Sequence, residues 1–328
     1  MRLNKDDIFS ISSEEEFNAQ ALAIFQYQAK NISVYGEYLN LINRPIDSVQ
    51  HYREIPFLPI ELFKSQKVLP EHAQAEVIFT SSGTTGQITS QHFVEDVSVY
   101  EQSFRLAFQQ FYRQPKDLVI LALLPSYLER SGSSLIYMVD DLIKHSAQQE
   151  SGYFLYNHQE LYDTLISLKS SKKKTILIGV TYALLDFIEQ YQLDFPELIV
   201  METGGMKGKR KEMIREELHA LLSTGFNVET IHSEYGMTEL LSQAYSSGYG
   251  IFSCPNWMKI VLRDTNDPLT LLDEHKKTGA INVIDLANYN SCSFIATQDL
   301  GKFHSENTFE ILGRFDQSDI RGCNLLVQ

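Results

Sequence analysis

Phe79-Thr80-Ser81-Ser82-Gly83-Thr84-Thr85-Gly86 follows the apolar approach Val77-Ile78 and sets the hydroxyls of Ser81, Ser82, Thr84 and Thr85 around two glycines. Glycine tolerates positive φ and lets backbone come close to a ligand. Successive amides in such a loop form an anion-binding concavity, and hydroxyls rotate to meet phosphate oxygens. A polyphosphate is the simplest ligand for this chemistry. The run is not G-x-x-x-x-G-K-[ST], since no Lys follows Gly86, and it lacks the G-x-G of the dinucleotide fingerprint. Taken alone, it would also suit a flexible turn.

A second run downstream, Ser233-Glu234-Tyr235-Gly236-Met237-Thr238-Glu239, changes that balance. Together and in this order, the two resemble the adenylate-forming superfamily of acyl- and aryl-CoA ligases, luciferases and peptide-synthetase adenylation domains. The resemblance implies ATP-dependent activation of a carboxylic acid. It gives Ser82, Thr84 and Thr85 to the β- and γ-phosphates, Tyr235 to the adenine, Gly236 to a tight turn and Thr238 to the α-phosphate. Glu239 goes to Mg²⁺, which prefers hard oxygen ligands and keeps substrate phosphates and waters.

Two further runs follow the same plan. Thr203-Gly204-Gly205-Met206-Lys207-Gly208-Lys209 follows an aliphatic strand pattern; on the resemblance, Gly204 and Gly205 lie along the adenine and the acyl pocket. Lys207 and Lys209 would aim charge at the phosphates or the acid, although solvated lysines at a helix start read equally well. Thr297-Gln298-Asp299-Leu300-Gly301 resembles an Asp-Leu-Gly element whose Asp299 accepts from both ribose hydroxyls. Ile311 to Asp319 resembles a hinge element, with Arg314 reaching ribose or phosphate and Asp316 at the hinge.

The superfamily's C-terminal domain, with its catalytic Lys, is expected to be mostly lacking here. One branch with that plan is the acyl-protein synthetase of the fatty acid reductase complex of bacterial bioluminescence. Phe57-Leu58-Pro59 and Arg321-Gly322-Cys323-Asn324 resemble it. There Cys323 is expected to take the acyl group as a thioester. Thiolate is the nucleophile and nearby cations lower its pKa, a role Arg321 suits. A flexible tail would make the transfer intramolecular.

Composition bounds the rest. The chain has 328 residues, 43% apolar and 21% charged, as in ordinary globular proteins. A net charge of −14 argues against nucleic acid as a partner. Leu118 to Leu124, the longest aliphatic run, is too short to span a bilayer. The three cysteines, Cys254, Cys292 and Cys323, show no C-x-x-C, which argues against structural zinc and a disulfide framework. A cytoplasmic enzyme is expected.

Short aliphatic strands alternate with helical patterns between residues 97 and 232, which predicts an α/β fold with a largely parallel sheet. The expected helices include Val97–Tyr112, Ser133–His145, His158–Lys169, Tyr182–Gln190 and Lys207–Leu222. The expected strands include Leu118–Leu124, Thr175–Val180, Leu198–Met201 and Val228–His232. Ser13-Glu14-Glu15-Glu16 predicts a capped helix through Gln28. From about Tyr245 short β-rich runs predict an antiparallel subdomain. The expected organisation is a large adenylate-forming domain over 1–312, then a hinge and tail over 313–328. His92 and His232 stand near the two motifs, but packed strand-end histidines are the plainer reading. Ser126 to Gly132 is expected to line the acyl pocket, with Ser131 and Gly132 readable as a helix cap.

The expected chemistry uses ATP and Mg²⁺ to turn a carboxylic acid, by resemblance a fatty acid, into acyl-AMP. The acyl group then passes to Cys323 and on to an acyl reductase or acyl carrier. Two other readings stand beside it: a ligase using free CoA, and an idle nucleotide- or acyl-binding scaffold.

Overall fold

The computed structural model describes residues 5–81, 88–125, 132–204, 209–211, 213–272, 278–305 and 307–314. Its elements run α1 (Lys5–Phe9), α2 (Glu14–Asn31), α3 (Ser33–Leu41), β1 (Leu58–Pro59), α4 (Leu62–Ser65), β2 (Val77–Thr80), β3 (Gln91–Val94), α5 (Val97–Phe111), β4 (Val119–Leu123), α6 (Ser134–Ser146), β5 (Gly152–Phe154) and α7 (His158–Ser170). They continue β6 (Thr175–Val180), α8 (Thr181–Gln190), β7 (Ile199–Thr203), α9 (Arg215–Phe226), β8 (His232–Tyr235), β9 (Ala244–Ser246), β10 (Ile251–Ser253), β11 (Met258–Arg263), β12 (Thr278–Asp285), β13 (Phe294–Ser305) and β14 (Thr308–Arg314). The chain divides into two compact units, one built on Phe79–Thr85 with Ser98–Ser253, the other on the remaining segments.

The first unit is α/β. Strands β5, β4, β6, β7 and β8 lie side by side and parallel. Every residue of β4 and β6 is buried, as expected for strands covered on both faces. Beyond β8 the sheet turns antiparallel through β9 and β10. Helix α6 is capped by Ser133, whose Oγ accepts from Ile136 N at 3.3 Å. The cap is therefore Ser133 and not the neighbouring Ser131 or Gly132.

The second unit carries the antiparallel strands β11, β12, β13 and β14. Strand β1 lies parallel to β13, pairing Leu58 with Ile295 and Pro59 with Ala296, so Phe57-Leu58-Pro59 supplies a docked strand. Helix α2 covers this region: Phe25 packs edge-on to Phe294 with centroids 6.2 Å apart. The Gln28 amide donates to Asn288 O and Tyr289 O. Ser13 Oγ caps α2 by accepting from Glu16 N. The Glu16 carboxylate turns to Ser12, accepting from its N at 2.8 Å, so the reciprocal half of the box closes one residue earlier than expected.

Two expected boundaries move. The helix expected from Lys207 starts at Arg215. Around its expected start, Gly204, Gly205 and Gly208 disfavour helix, and Arg210 is drawn to Asp186 and Glu189 on α8. The strand expected over Val228–His232 runs instead over His232–Tyr235. The second motif thus begins inside a strand.

Candidate active site

Open parallel sheets bind ligands beyond the carboxyl ends of their strands, and two of the expected motifs stand there in the α/β unit. Strand β7 ends at Thr203, followed by Gly204 at φ 77°. Strand β8 ends at Tyr235, followed by Gly236. The Tyr235 ring is buried and edge-on to Phe252, centroids 6.2 Å apart. Thr238 and Glu239 follow in a turn closed by Leu240 N donating to Met237 O at 3.1 Å, and Glu239 is buried.

Ser81 follows β2. Just before it, Thr80 N donates to Gly132 O at 2.8 Å, and Phe79 packs edge-on against Tyr100 and Tyr137. The entry to the first motif is thereby fixed to α5 and to the start of α6. Ser82, Gly83, Thr84, Thr85, Gly86, Gly205, Lys207, Asp316, Arg321, Cys323 and the segment Ser126–Ser131 lie outside the described residues. Lys209 is exposed.

The structure adds two carboxylates that the sequence reading did not single out. Glu202, next to last in β7, is buried and accepts from Thr181 Oγ1 at 3.2 Å and Arg215 Nη1 at 3.1 Å. His219 Nε2 stands 3.6 Å from the same carboxylate. Burial works to raise the Glu202 pKa, but His219, Arg215 and Ser233 together hold it below the ordinary Glu value. Glu234, just before Tyr235, accepts from Thr203 Oγ1 at 2.6 Å. Desolvation dominates there and, with the Glu202 charge adding and the Thr203 bond opposing, pushes its carboxyl up to about 7. One signal was available for Glu202: a carboxylate ending the apolar run Ile199-Val200-Met201 must find a buried partner.

In the antiparallel unit, Asp299 on β13 and Arg314 on β14 are directly paired across the ladder, and Arg314 Nε donates to Asp299 Oδ1 at 3.2 Å. The Asp299 backbone N donates to Thr297 Oγ1. Buried Arg263 braces this strand, donating to Thr297 O, Ile281 O and Asn282 Oδ1. Gly301 has no room for a side chain: a Cβ there would stand 2.7 Å from both Glu310 O and Ile281 Cδ1. Close approach of β14 and β12 thus accounts for the glycine of Asp299-Leu300-Gly301.

Both histidines near the motifs are packed residues. His92 is fully buried, with Nε2 3.0 Å from Asn288 Oδ1 and its ring edge-on to Phe63. His232 lies against Tyr112, and desolvation lowers its pKa to about 4. Cys292 is buried and Cys254 half-buried; desolvation pushes both thiols up to about 12, which leaves little thiolate near neutral pH.

Among the described residues no group of three or more His, Cys, Asp or Glu could hold a metal ion. Mg²⁺ in phosphate chemistry takes one or two carboxylates, with phosphates and waters completing its shell. A single buried carboxylate at Glu239 fits that requirement.

The sheet and its connections have the fold of the adenylate-forming ligases. A 2-hydroxyisobutyryl-CoA ligase solved with 2-HIB-AMP and CoA superposes with a TM-score of 0.65 at 10% identity, over 93% of this chain and 70% of the other. The McyG A-PCP structure with phenylalanyl-adenylate gives 0.54 at 15% identity, over 87% and 54%. A fatty acyl-adenylate ligase from L. pneumophila gives 0.51 at 14% identity, over 74% and 51%. No curated protein matches the chain. Residues 6–328 match the family model described as acyl-protein synthetase, LuxE, and the chain belongs to that family of acyl-adenylate-forming ligases.

Proposed function

We propose that the protein activates a fatty acid with Mg·ATP and passes the acyl group to its own Cys323. In the first step a carboxylate oxygen attacks the α-phosphorus, an acyl–phosphate bond forms and pyrophosphate leaves. In the second, the Cys323 thiolate attacks the acyl carbonyl, a thioester forms and AMP leaves. The thioester is then available to an acyl reductase or acyl carrier. One observation carries the reading: a chain of the acyl-protein synthetase family sets Thr238 and Glu239 just past the carboxyl end of β8, beside β7 and its Gly204.

Each residue has a stated task. Ser81, Ser82, Gly83, Thr84, Thr85 and Gly86 hold the β- and γ-phosphates. Gly204, Gly205, Tyr235 and Gly236 shape the adenine site, Thr238 binds the α-phosphate, and Lys207 meets the developing charge. Asp299 and Arg314 serve the ribose. Bound at Glu239, Mg²⁺ would neutralise phosphate charge and orient the leaving pyrophosphate. Hydrogen-bond donors to the phosphates would supply most of the barrier lowering. The raised thiol pKa values of Cys254 and Cys292 support Cys323 as the acceptor among the three cysteines.

Acid-dependent ATP–pyrophosphate exchange tests the first step. Exchange with long-chain acids, reduced about 100-fold or more in Glu239→Gln, is the expected result. ATP binding without exchange for any acid would contradict the reading and favour an idle scaffold.

A further inference from the structure

Strands β7 and β8 pair through their backbones as far as Glu202 opposite Ser233. One step further, a side-chain bond takes over: Thr203 Oγ1 donates to Glu234 Oε2 at 2.6 Å. The other carboxyl oxygen, Glu234 Oε1, covers the bare face of Gly236. A Cβ at Gly236 would collide with that oxygen and stand 3.2 Å from Gln243 Cγ. Glu234 and Gln243 therefore share one side of the turn.

Gln243 is 4% exposed. The Tyr100 hydroxyl stands within reach of the Gln243 side chain and donates to Ser134 O at 3.0 Å. Gln243 Oε1 is left buried with no partner. A buried acceptor calls for a donor, and a protonated carboxyl is one.

We propose that Glu234 is a positioning residue working as a neutral carboxylic acid, accepting from Thr203 through Oε2 and donating from Oε1 to Gln243. It thereby ties the Gly204 turn, the Gly236 turn and the segment after Glu239 into one rigid support for the nucleotide. The surrounding groups favour the neutral form. Glu202 on β7 is anionic. Tyr100 on α5, Tyr112 just past it and Tyr245 on β9 all lie within electrostatic reach of Glu234, and burial raises the pKa of each. His232, two residues earlier on β8, is held neutral by its lowered pKa. Arg215 and His219 are engaged with Glu202. The upward shift of the Glu234 carboxyl agrees with this arrangement. Ionisation would set a charge against Gln243 Oε1 and loosen the turn.

The activity readout rests on the proposed adenylation; the stability readout does not. The intact chain, Glu234→Gln and Thr203→Val are compared from about pH 5 to about pH 9 in pyrophosphate exchange and in thermal melts. The parent is expected to lose exchange as pH rises through about 7, approaching tenfold per pH unit beyond it. Glu234→Gln keeps both a donor and an acceptor, so it should retain exchange within about threefold at low pH and lose that inflection. Thr203→Val removes the bond that favours the charged form, so its inflection should move to higher pH. In the melts, the folded parent binds a proton between the ordinary Glu value and about 7 that its unfolded chain has released. Parent stability relative to Glu234→Gln should therefore fall across that window and level off above it. An unchanged inflection in Glu234→Gln, or a pH-independent difference in melting temperature, would overturn the inference. If no acid supports exchange in the parent, the functional reading fails, and the melts still decide the role of Glu234.

Discussion

Arg314 donates through Nε to Asp299 Oδ1 at 3.2 Å across β13 and β14, and the pair is lopsided: the arginine side chain is 77% exposed, the aspartate 8%. An exposed partner adds about 0.2–1 kcal/mol to stability. Arg314→Ala should therefore shift the melting temperature by no more than a few degrees. If the pair serves the ribose, ATP affinity measured by calorimetry should drop roughly tenfold in Asp299→Asn. A large stability loss with unchanged ATP affinity would assign the pair to the hairpin alone.

Arg215 holds the buried Glu202 carboxylate at the end of β7. Removing one partner of a buried pair costs about 3–5 kcal/mol, because a charge is left behind. Arg215 is 28% exposed, so the lower end, about 3 kcal/mol, is expected for Arg215→Met in denaturant unfolding. The pH dependence has a definite sign. The folded Glu202 pKa lies below the ordinary Glu value, so its contribution is present above that value and is lost as pH falls through the folded one. Parent and Arg215→Met should therefore converge in stability in acid; a gap that widens there would contradict this assignment.

Much of this was legible in the sequence, for local reasons. Ser13 and the Glu14-Glu15-Glu16 run announce α2, and the aliphatic blocks Val119–Leu123 and Thr175–Val180 announce fully buried parallel strands. The motif order pointed to the adenylate-forming ligases before any geometry. What escaped depends on distant partners. The lysines and arginine from Lys207 to Arg210 suit a helix, but Gly208 lies among them and Arg210 is drawn to α8, and the helix starts at Arg215. Glu202 and Glu234 read as ordinary carboxylates until Arg215, Thr203 and Gly236 are brought beside them. The ribose role of Asp299 was legible by resemblance, but its place in a strand was not, because a twelve-residue strand containing Gly301 is visible only once β12 and β14 close on it.

The cysteines should separate by reactivity. Cys292 is buried and Cys254 half-buried, and desolvation pushes both thiols up to about 12, so thiolate is scarce at neutral pH. Alkylation of the native protein at about pH 7.5 should label Cys323 at least about 100-fold faster than either of the others, with all three labelled after denaturation. Peptide mass mapping reads this directly. Comparable labelling of Cys254 or Cys292 in the native protein would remove this argument for Cys323 as acceptor.

The most direct test of self-acylation is the intact mass of the protein after incubation with ATP, Mg²⁺ and a mixture of fatty and aryl acids. The account requires a single acyl adduct that hydroxylamine removes, that matches a fatty acid in mass and that is missing in Cys323→Ser. No adduct on the parent, with AMP released only once free CoA is added, would contradict transfer to Cys323 and place the acceptor outside the chain.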